Sequence, residues 1–497
     1  MKERSSGLLL PVFSLPSPYG VGTLGREAER FVDFLAAAGQ RWWQMLPAGP
    51  TSYGDSPYQS FSTFAGNPYF IDLTALKTEG LLTAADLAGN WGGDPRRVDY
   101  GLLYERRFAV LHKAYERGRD ALKGELDAFI GENAWLPDYA LYMAVKKHFG
   151  MAAWTEWPDE EIRLHRPDAV RDYAGRLADD VRFYAFLQFL FFRQWKALRA
   201  YAEKKGVGLI GDVPIYVAAD SADVWSEPQW FRLNKDNKCT EVAGVPPDYF
   251  SKDGQLWGNP LYDWEAMKQD GYGWWIRRVD GARKLFDVLR IDHFRGLESY
   301  WAVPAGEKTA KVGRWVKGPG LPFVEMLTNW FGSEGFIAED LGILTPEVRT
   351  LLKESGLPGM RVLEFAFGAK GEPSVYLPHC HVQNCVCYTG THDNDTLRGW
   401  WDGASKADRA YATRYLGLNA DEGAVRGVLR GGMSSTADLF VSQVQDWLEL
   451  GSEARINTPG TPAGNWQWRL LKGELTPALA KEIKAMTKLY GRLPAQD

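Results

Sequence analysis

Val288-Leu289-Arg290-Ile291-Asp292-His293-Phe294-Arg295-Gly296 is an apolar strand that runs into a cluster of charges, and its reading decides the fold. Val288, Leu289 and Ile291 require a core, whereas Arg290, Asp292, His293 and Arg295 do not. Residues two apart on a strand share a face, so Arg290 and Asp292 project together and interact directly. A guanidinium beside a carboxylate favours the ionised form and lowers its pKa. That environment suits a nucleophilic or charge-stabilising carboxylate, and it suits equally a structural ion pair at a strand end.

Similar segments recur at 207–217, 336–340, 360–367, 384–388 and 439–444, and two more lie upstream at 42–47 and 69–73. Helical patterns separate many of them. One spans 25–38, with Phe31, Phe34, Leu35 and Ala38 at helical spacing, and another is capped by Thr345, opened by Pro346 and closed by Gly356. Residues 8–24, rich in Pro, Ser and Gly, read as a loop. Continuous apolar strands alternating with helices indicate a parallel sheet. Eight of them favour closure, so the expected fold is α/β: a (β/α)8 TIM barrel forming a single catalytic domain over 1–497. An almost wholly helical stretch at about 99–206 reads as an inserted subdomain. A loop-rich stretch at about 225–275, crowded with Pro, Gly, Asp and aromatics, reads as an excursion over the C-terminal face of the barrel.

Composition narrows the function. The net charge of -5 gives no electrostatic case for nucleic acid or an anionic membrane surface. The longest apolar run, 183–192, is broken by Gln188, and Leu8 to Leu10 before Pro11 is too short for a signal peptide. Four cysteines in a chain of this size are no disulfide framework, and a cytoplasmic setting is expected. With 21 Trp among 13% aromatic residues, some aromatic faces are expected outside the core, where they bind flat apolar surfaces such as sugar rings or bases.

Catalytic residues of a parallel barrel gather at the carboxyl ends of its strands. Three segments end in acids here: Asp292, Glu339-Asp340, and Asp393 within Thr389-Gly390-Thr391-His392-Asp393-Asn394-Asp395. Converging like charges are costly as structure alone, whereas two carboxylates flanking a scissile bond are the apparatus of glycoside cleavage. The run from His379 to Cys387 resembles a metal site at first sight. Its Cys385-Val386-Cys387 spacing does not match zinc, and it falls in a core strand, so no metal is expected. No nicotinamide, phosphate-loop or calcium motif appears, and no cofactor is expected.

The sequence is similar to the amylomaltases, or 4-α-glucanotransferases, of the α-amylase-like barrel enzymes. The likeness runs through Gly20-Val-Gly-Thr-Leu-Gly25, Trp43-Gln-Met-Leu-Pro47, Ser56-Pro-Tyr-Gln-Ser60, Gly211-Asp-Val-Pro-Ile-Tyr-Val217, the opening stretch, Ala338-Glu-Asp-Leu-Gly342, Gly390-Thr-His-Asp-Asn-Asp-Thr396 and Arg455-Ile-Asn-Thr-Pro-Gly-Thr461. It implies that Asp292 is the nucleophile, Glu339 the general acid/base, its pKa raised by burial and acidic neighbours, and Asp393 the stabiliser of an oxocarbenium-like transition state. It further implies donor-sugar contacts from Tyr58, Asp212, Arg290, His392 and Asn465. Tyr249, Phe250, Gln255 and Trp257 would belong to an acceptor-side lid. The implied activity is transfer of α-1,4-glucan segments to a sugar 4-hydroxyl, with maltooligosaccharides, amylose, starch or glycogen fragments as partners. Hydrolysis by the same three acids, or silent glucan binding, are the alternatives.

Overall fold

A computed structural model describes residues 3–494 apart from 53, 248–250, 343, 369–373 and 462. Its strands, in chain order, are β1 (Ser5–Leu9), β2 (Trp42–Gln44), β3 (Gly208–Val213), β4 (Glu241–Val245), β5 (Gln255–Pro260), β6 (Val288–Ile291), β7 (Ser299–Pro304), β8 (Arg314–Lys317), β9 (Phe336–Ala338), β10 (Gly359–Val362), β11 (Cys385–Tyr388) and β12 (Leu439–Gln443). Eight form one parallel sheet in the order β10-β11-β12-β1-β2-β3-β6-β9. The ends of that order meet: the Ala338 amide donates to the Pro358 carbonyl at 2.9 Å and the Met360 amide to Asp340 Oδ1 at 2.6 Å. The sheet is thus a nearly closed (β/α)8 barrel.

Two details differ from the sequence reading. Residues 69–73 are not a barrel strand. Asn67 accepts the Tyr69 amide at 2.9 Å over the short helix Pro68–Phe70, and Asp72 caps the helix Leu73–Thr78 by accepting the Ala75 amide at 2.7 Å. Cap chemistry overrides the strand propensity of Tyr-Phe-Ile there. The missing barrel strand is β1, which pairs with β12 on one side and β2 on the other and is buried throughout. Its Ser-Ser-Gly composition hides it. Gly7 is needed, because a Cβ there would stand 2.6 Å from Cβ of Trp42.

Between β2 and β3 lies a run of helices, chiefly Tyr100–Gly118, Lys123–Glu132, Leu136–His148, Pro167–Arg176 and Ala178–Lys204. The excursion after β3 carries β4 and β5, which join β7 and β8 in an antiparallel sheet of order β5-β4-β7-β8. Its Pro260 is tolerated because β5 is an edge strand.

The helices fixed by sequence signals form where those signals lie. Arg26–Ala37 buries Phe31, Phe34 and Leu35, and Pro346–Ser355 begins at the Thr345 cap and ends at Gly356 with φ 67°. Among the described residues no helix is long and apolar enough to cross a membrane.

Candidate active site

Strand register builds the centre of the site. In the β3–β6 ladder Asp212 lies beside Arg290, and in the β6–β9 ladder Ile291 lies beside Ala338. One residue further, Asp292 and Glu339 sit on adjacent strand ends, and their backbones continue the pairing: Asp292 N–H donates to Val213 O and Glu339 N–H to Ile291 O, each at 3.0 Å. Parallel neighbours in register point to the same side, so Asp212, Arg290, Asp292 and Glu339 all face the barrel mouth. Arg290 Nη1 reaches Asp212 Oδ2 at 2.6 Å and Asp292 Oδ1 at 2.9 Å. His293 then turns left-handed, φ 54°, and its amide donates to Glu339 Oε2 at 2.8 Å while the Leu341 amide donates to Oε1 at 2.7 Å. A non-glycine residue in that conformation is uncommon, and here it aims a backbone donor at a carboxyl.

The charges do not settle as the strand alone suggests. Asp292 was expected to titrate low beside Arg290; instead its pKa is pushed up to about 8, because burial and the carboxylates of Asp212, Glu339 and Asp393 outweigh the guanidinium. Glu339 is also raised, chiefly by burial, against the pull of Arg290 and of its two backbone donors. Two such carboxyls at one mouth share a proton and titrate as a pair. Burial lowers His293 to about 3 and lowers His392 as well, so both imidazoles are neutral at pH 7.

Asp393 follows β11 and lies against a second wall. Its Oδ1 accepts from Asn457 Nδ2 at 2.6 Å and lies 3.2 Å from His392 Nε2, and Arg455 Nη2 donates to its carbonyl at 2.6 Å. Tyr58 donates its hydroxyl to Asp212 Oδ2 at 2.7 Å and stacks on His392 with ring centroids 5.1 Å apart. Trp466 packs on both rings, 5.9 Å from each.

Apart from Asp212, whose side chain is fully buried, these residues line one cleft of about 2300 Å³, well beyond the roughly 300–1,000 Å³ of a small-molecule site. Gln255 and Trp257 line it too, with Trp257 Nε1 donating to Gln255 Oε1 at 3.1 Å and its ring meeting His293 edge-on at 4.8 Å. Asn465 lines the cleft, but its amide is engaged in its own loop, accepting from Thr458 N at 2.9 Å and donating to Thr461 O at 3.1 Å. Tyr249 and Phe250 lie outside the described residues. Sequence reasoning gave no role to Trp466, Arg455 or Asn457. The last two stand in the Arg455-to-Thr461 motif, which was the available signal.

Cys385 and Cys387 are buried in β11, all four cysteines are unpaired, and among the described residues no group of three His, Cys, Asp or Glu side chains is placed to hold a metal ion. Acids from neighbouring strand ends, facing an aromatic-lined cleft of oligosaccharide size in a (β/α)8 barrel, define the class of barrel enzymes that break and remake glycosidic bonds.

Known proteins make the assignment specific. Residues 10–475 match the family model described as 4-alpha-glucanotransferase. A 4-alpha-glucanotransferase of Thermus thermophilus is 49% identical over 502 residues, covering 99% of each chain. One from Clostridium butyricum is 48% identical over 485 residues, covering 97% of this chain and 99% of its own. The structure titled amylomaltase from Streptococcus agalactiae in complex with acarbose superposes with a TM-score of 0.97 at 40% identity, over 99% of this chain and all of that one. The chain belongs to the 4-alpha-glucanotransferase family.

Proposed function

We propose that the protein transfers α-1,4-glucan segments from a donor glucan to the 4-hydroxyl of an acceptor glucan or glucose by retaining double displacement. Transferase activity goes with the family; the residue roles are inferred from the site. Asp292 attacks the anomeric carbon as Glu339 gives its proton to the departing 4-oxygen, so one C–O bond forms as another breaks. The acceptor 4-hydroxyl then attacks the glucosyl carbon, its proton passes to Glu339, and Asp292 leaves. Asp393 faces the positive charge that develops at the anomeric centre.

The observation that carries this reading is the register of Asp292 with Glu339. It holds the two strand ends one spacing apart, ~4.8 Å, which supports a carboxyl separation near the ~5–5.5 Å of retaining catalysis over the wider gap an inverting water needs. Arg290 supports the ionised nucleophile once the shared proton rests on Glu339.

Tyr58, Asp212, Arg290 and His392 are assigned to the donor sugar. Asp212 accepts from Tyr58 and Arg290 and so orients both beside Asp292, and Asn465 faces the same cleft from its loop. Gln255 and Trp257, with Tyr249 and Phe250, are assigned to the acceptor side, where an aromatic lid over 225–275 keeps water from the intermediate. The unpaired cysteines support a reducing, cytoplasmic setting. The test is product analysis on maltotriose. Glucose and a ladder of longer oligomers without net gain of reducing ends are expected; a steady rise in reducing ends overturns transfer in favour of hydrolysis.

A further inference from the structure

A second group of acids lies behind Asp393, and the reaction as derived does not use it. Glu364, just past the end of β10, and Asp446, in the short helix after β12, meet Asp395 on the loop that carries Asp393. Asp395 and Asp446 have donors on both oxygens. Asp395 accepts from the Thr396 amide at 2.8 Å and Ser452 Oγ at 2.7 Å; Asp446 accepts from the Leu397 amide at 2.8 Å and Thr389 Oγ1 at 2.6 Å. Glu364 differs. Its Oε1 is buried without a hydrogen-bond partner, and so is Oε1 of Gln443, whose amide comes to the same place. The chain makes room for this carboxyl at Gly390, where a Cβ would stand 2.5 Å from Glu364 Oε1 and 3.2 Å from Gln443 Nε2.

The Glu364 carboxyl lies beside the side chain of Asn394, the two meeting at Gly390, where the same Cβ would stand 2.9 Å from Asn394 Cβ. Asn394 in turn accepts, through Oδ1, from the amide and the hydroxyl of Thr391, both at 2.9 Å. Thr391 Oγ1 accepts the Asp393 amide at 3.2 Å. Side-chain packing of Glu364 beside Asn394, then hydrogen bonds from Asn394 through Thr391, therefore link Glu364 to the backbone of Asp393.

We propose that Glu364 is a positioning residue: through Asn394 it holds the loop of residues 391–395 and so fixes the carboxylate of Asp393. It works as a neutral acid. Burial and the charges of Asp446 and Asp395 push its pKa well up, and Arg455, the cation facing the group, is already engaged with the Asn457 and Asp393 carbonyls. An ionised Glu364 would leave a buried charge with an orphaned oxygen, which is costly.

The inference rests on Asp393 as transition-state stabiliser, and a double-mutant cycle separates the two claims. Glu364→Ala and Asp393→Asn are made singly and together, and kcat and KM are measured with an activated α-glucosyl fluoride donor, so that low rates stay measurable. Glu364→Ala is expected to lower kcat about 10-fold or more with KM changed less than about 3-fold, and in the Asp393→Asn background to lower it less than about 3-fold. Glu364→Gln, which cannot ionise, is expected to recover most of what the alanine variant loses. Should Glu364→Ala not fold, Asn394→Ala enters the same cycle with the same expectation. Equal losses in both backgrounds, no loss in the native background, or no recovery by glutamine overturns the proposal. If Asp393→Asn alone leaves kcat intact, the stabiliser assignment fails instead.

Discussion

Replacing Asp292 by asparagine should stabilise the protein, and more so as pH rises. In the native cluster Asp292 meets Asp212, Glu339 and Asp393 beside one guanidinium, and its pKa is pushed up to about 8 from an ordinary 3.8. A carboxyl whose folded pKa is raised binds more protons in the folded state, so its contribution is fully present below about pH 4 and is lost as pH climbs through about 8. Taken alone, that rise has a ceiling of about 6 kcal/mol. Glu339 shares the same proton, and the Asp292 side chain keeps 29% of its surface exposed, which leaves roughly 2–3 kcal/mol for the substitution to recover. With an unfolding entropy of about 2.1 cal/mol/K per residue, a chain of 497 residues shifts by about one degree per kcal/mol. Calorimetry of both proteins at about pH 4 and pH 9 is the assay. Asp292→Asn should gain ~2–3 °C more over the wild type at the higher pH than at the lower. A gap that stays constant, or that shrinks as pH rises, refutes the reasoning.

Two further outcomes follow from the same geometry. Asn457→Ala removes the 2.6 Å bond to Asp393 Oδ1; a hydrogen bond to a charged group is worth about 1.5–3 kcal/mol, so steady-state kinetics should show kcat lowered about 10- to 100-fold with KM little changed. An equal rise in KM at constant kcat would place Asn457 in ground-state binding instead. The acid step needs the proton that Asp292 and Glu339 share, so kcat on maltotriose should fall on the alkaline side as the pair loses it. A rate that keeps rising through pH 9 would show that no such proton is used.

The sequence made the barrel legible through β3, β6, β9, β10, β11 and β12, because strands buried on both faces read as apolar runs between helices. In the first quarter it placed β2 and the helix Arg26–Ala37 but missed β1, which is Ser-Ser-Gly-Leu-Leu and packs on Trp42 through Gly7, and it read a strand at Tyr69-Phe-Ile, which the caps of Asn67 and Asp72 turn. Burial of β1 comes from its partners β2 and β12, which no local pattern reports. The acids of the site were readable as strand ends. Their protonation was not: beside Arg290 alone Asp292 would titrate low, and burial, with the three-dimensional approach of Asp212, Glu339 and Asp393, reverses the sign. Trp466 and Asn457 lie far downstream of the residues they touch, Asn457 being 64 positions from Asp393 and Trp466 farther still from His392 and Tyr58, so their roles emerge only on folding.

Double displacement requires a covalent bond at Asp292. Glu339→Gln, given an α-glucosyl fluoride, can be glycosylated without a general acid but lacks the base that activates an acceptor, so the intermediate should accumulate. Acid quenching, proteolysis and mass spectrometry should then find one glycosyl unit on the peptide that contains Asp292, assigned to that side chain by fragmentation. A glycosyl unit on another residue, or turnover with no adduct and inverted product, would contradict it.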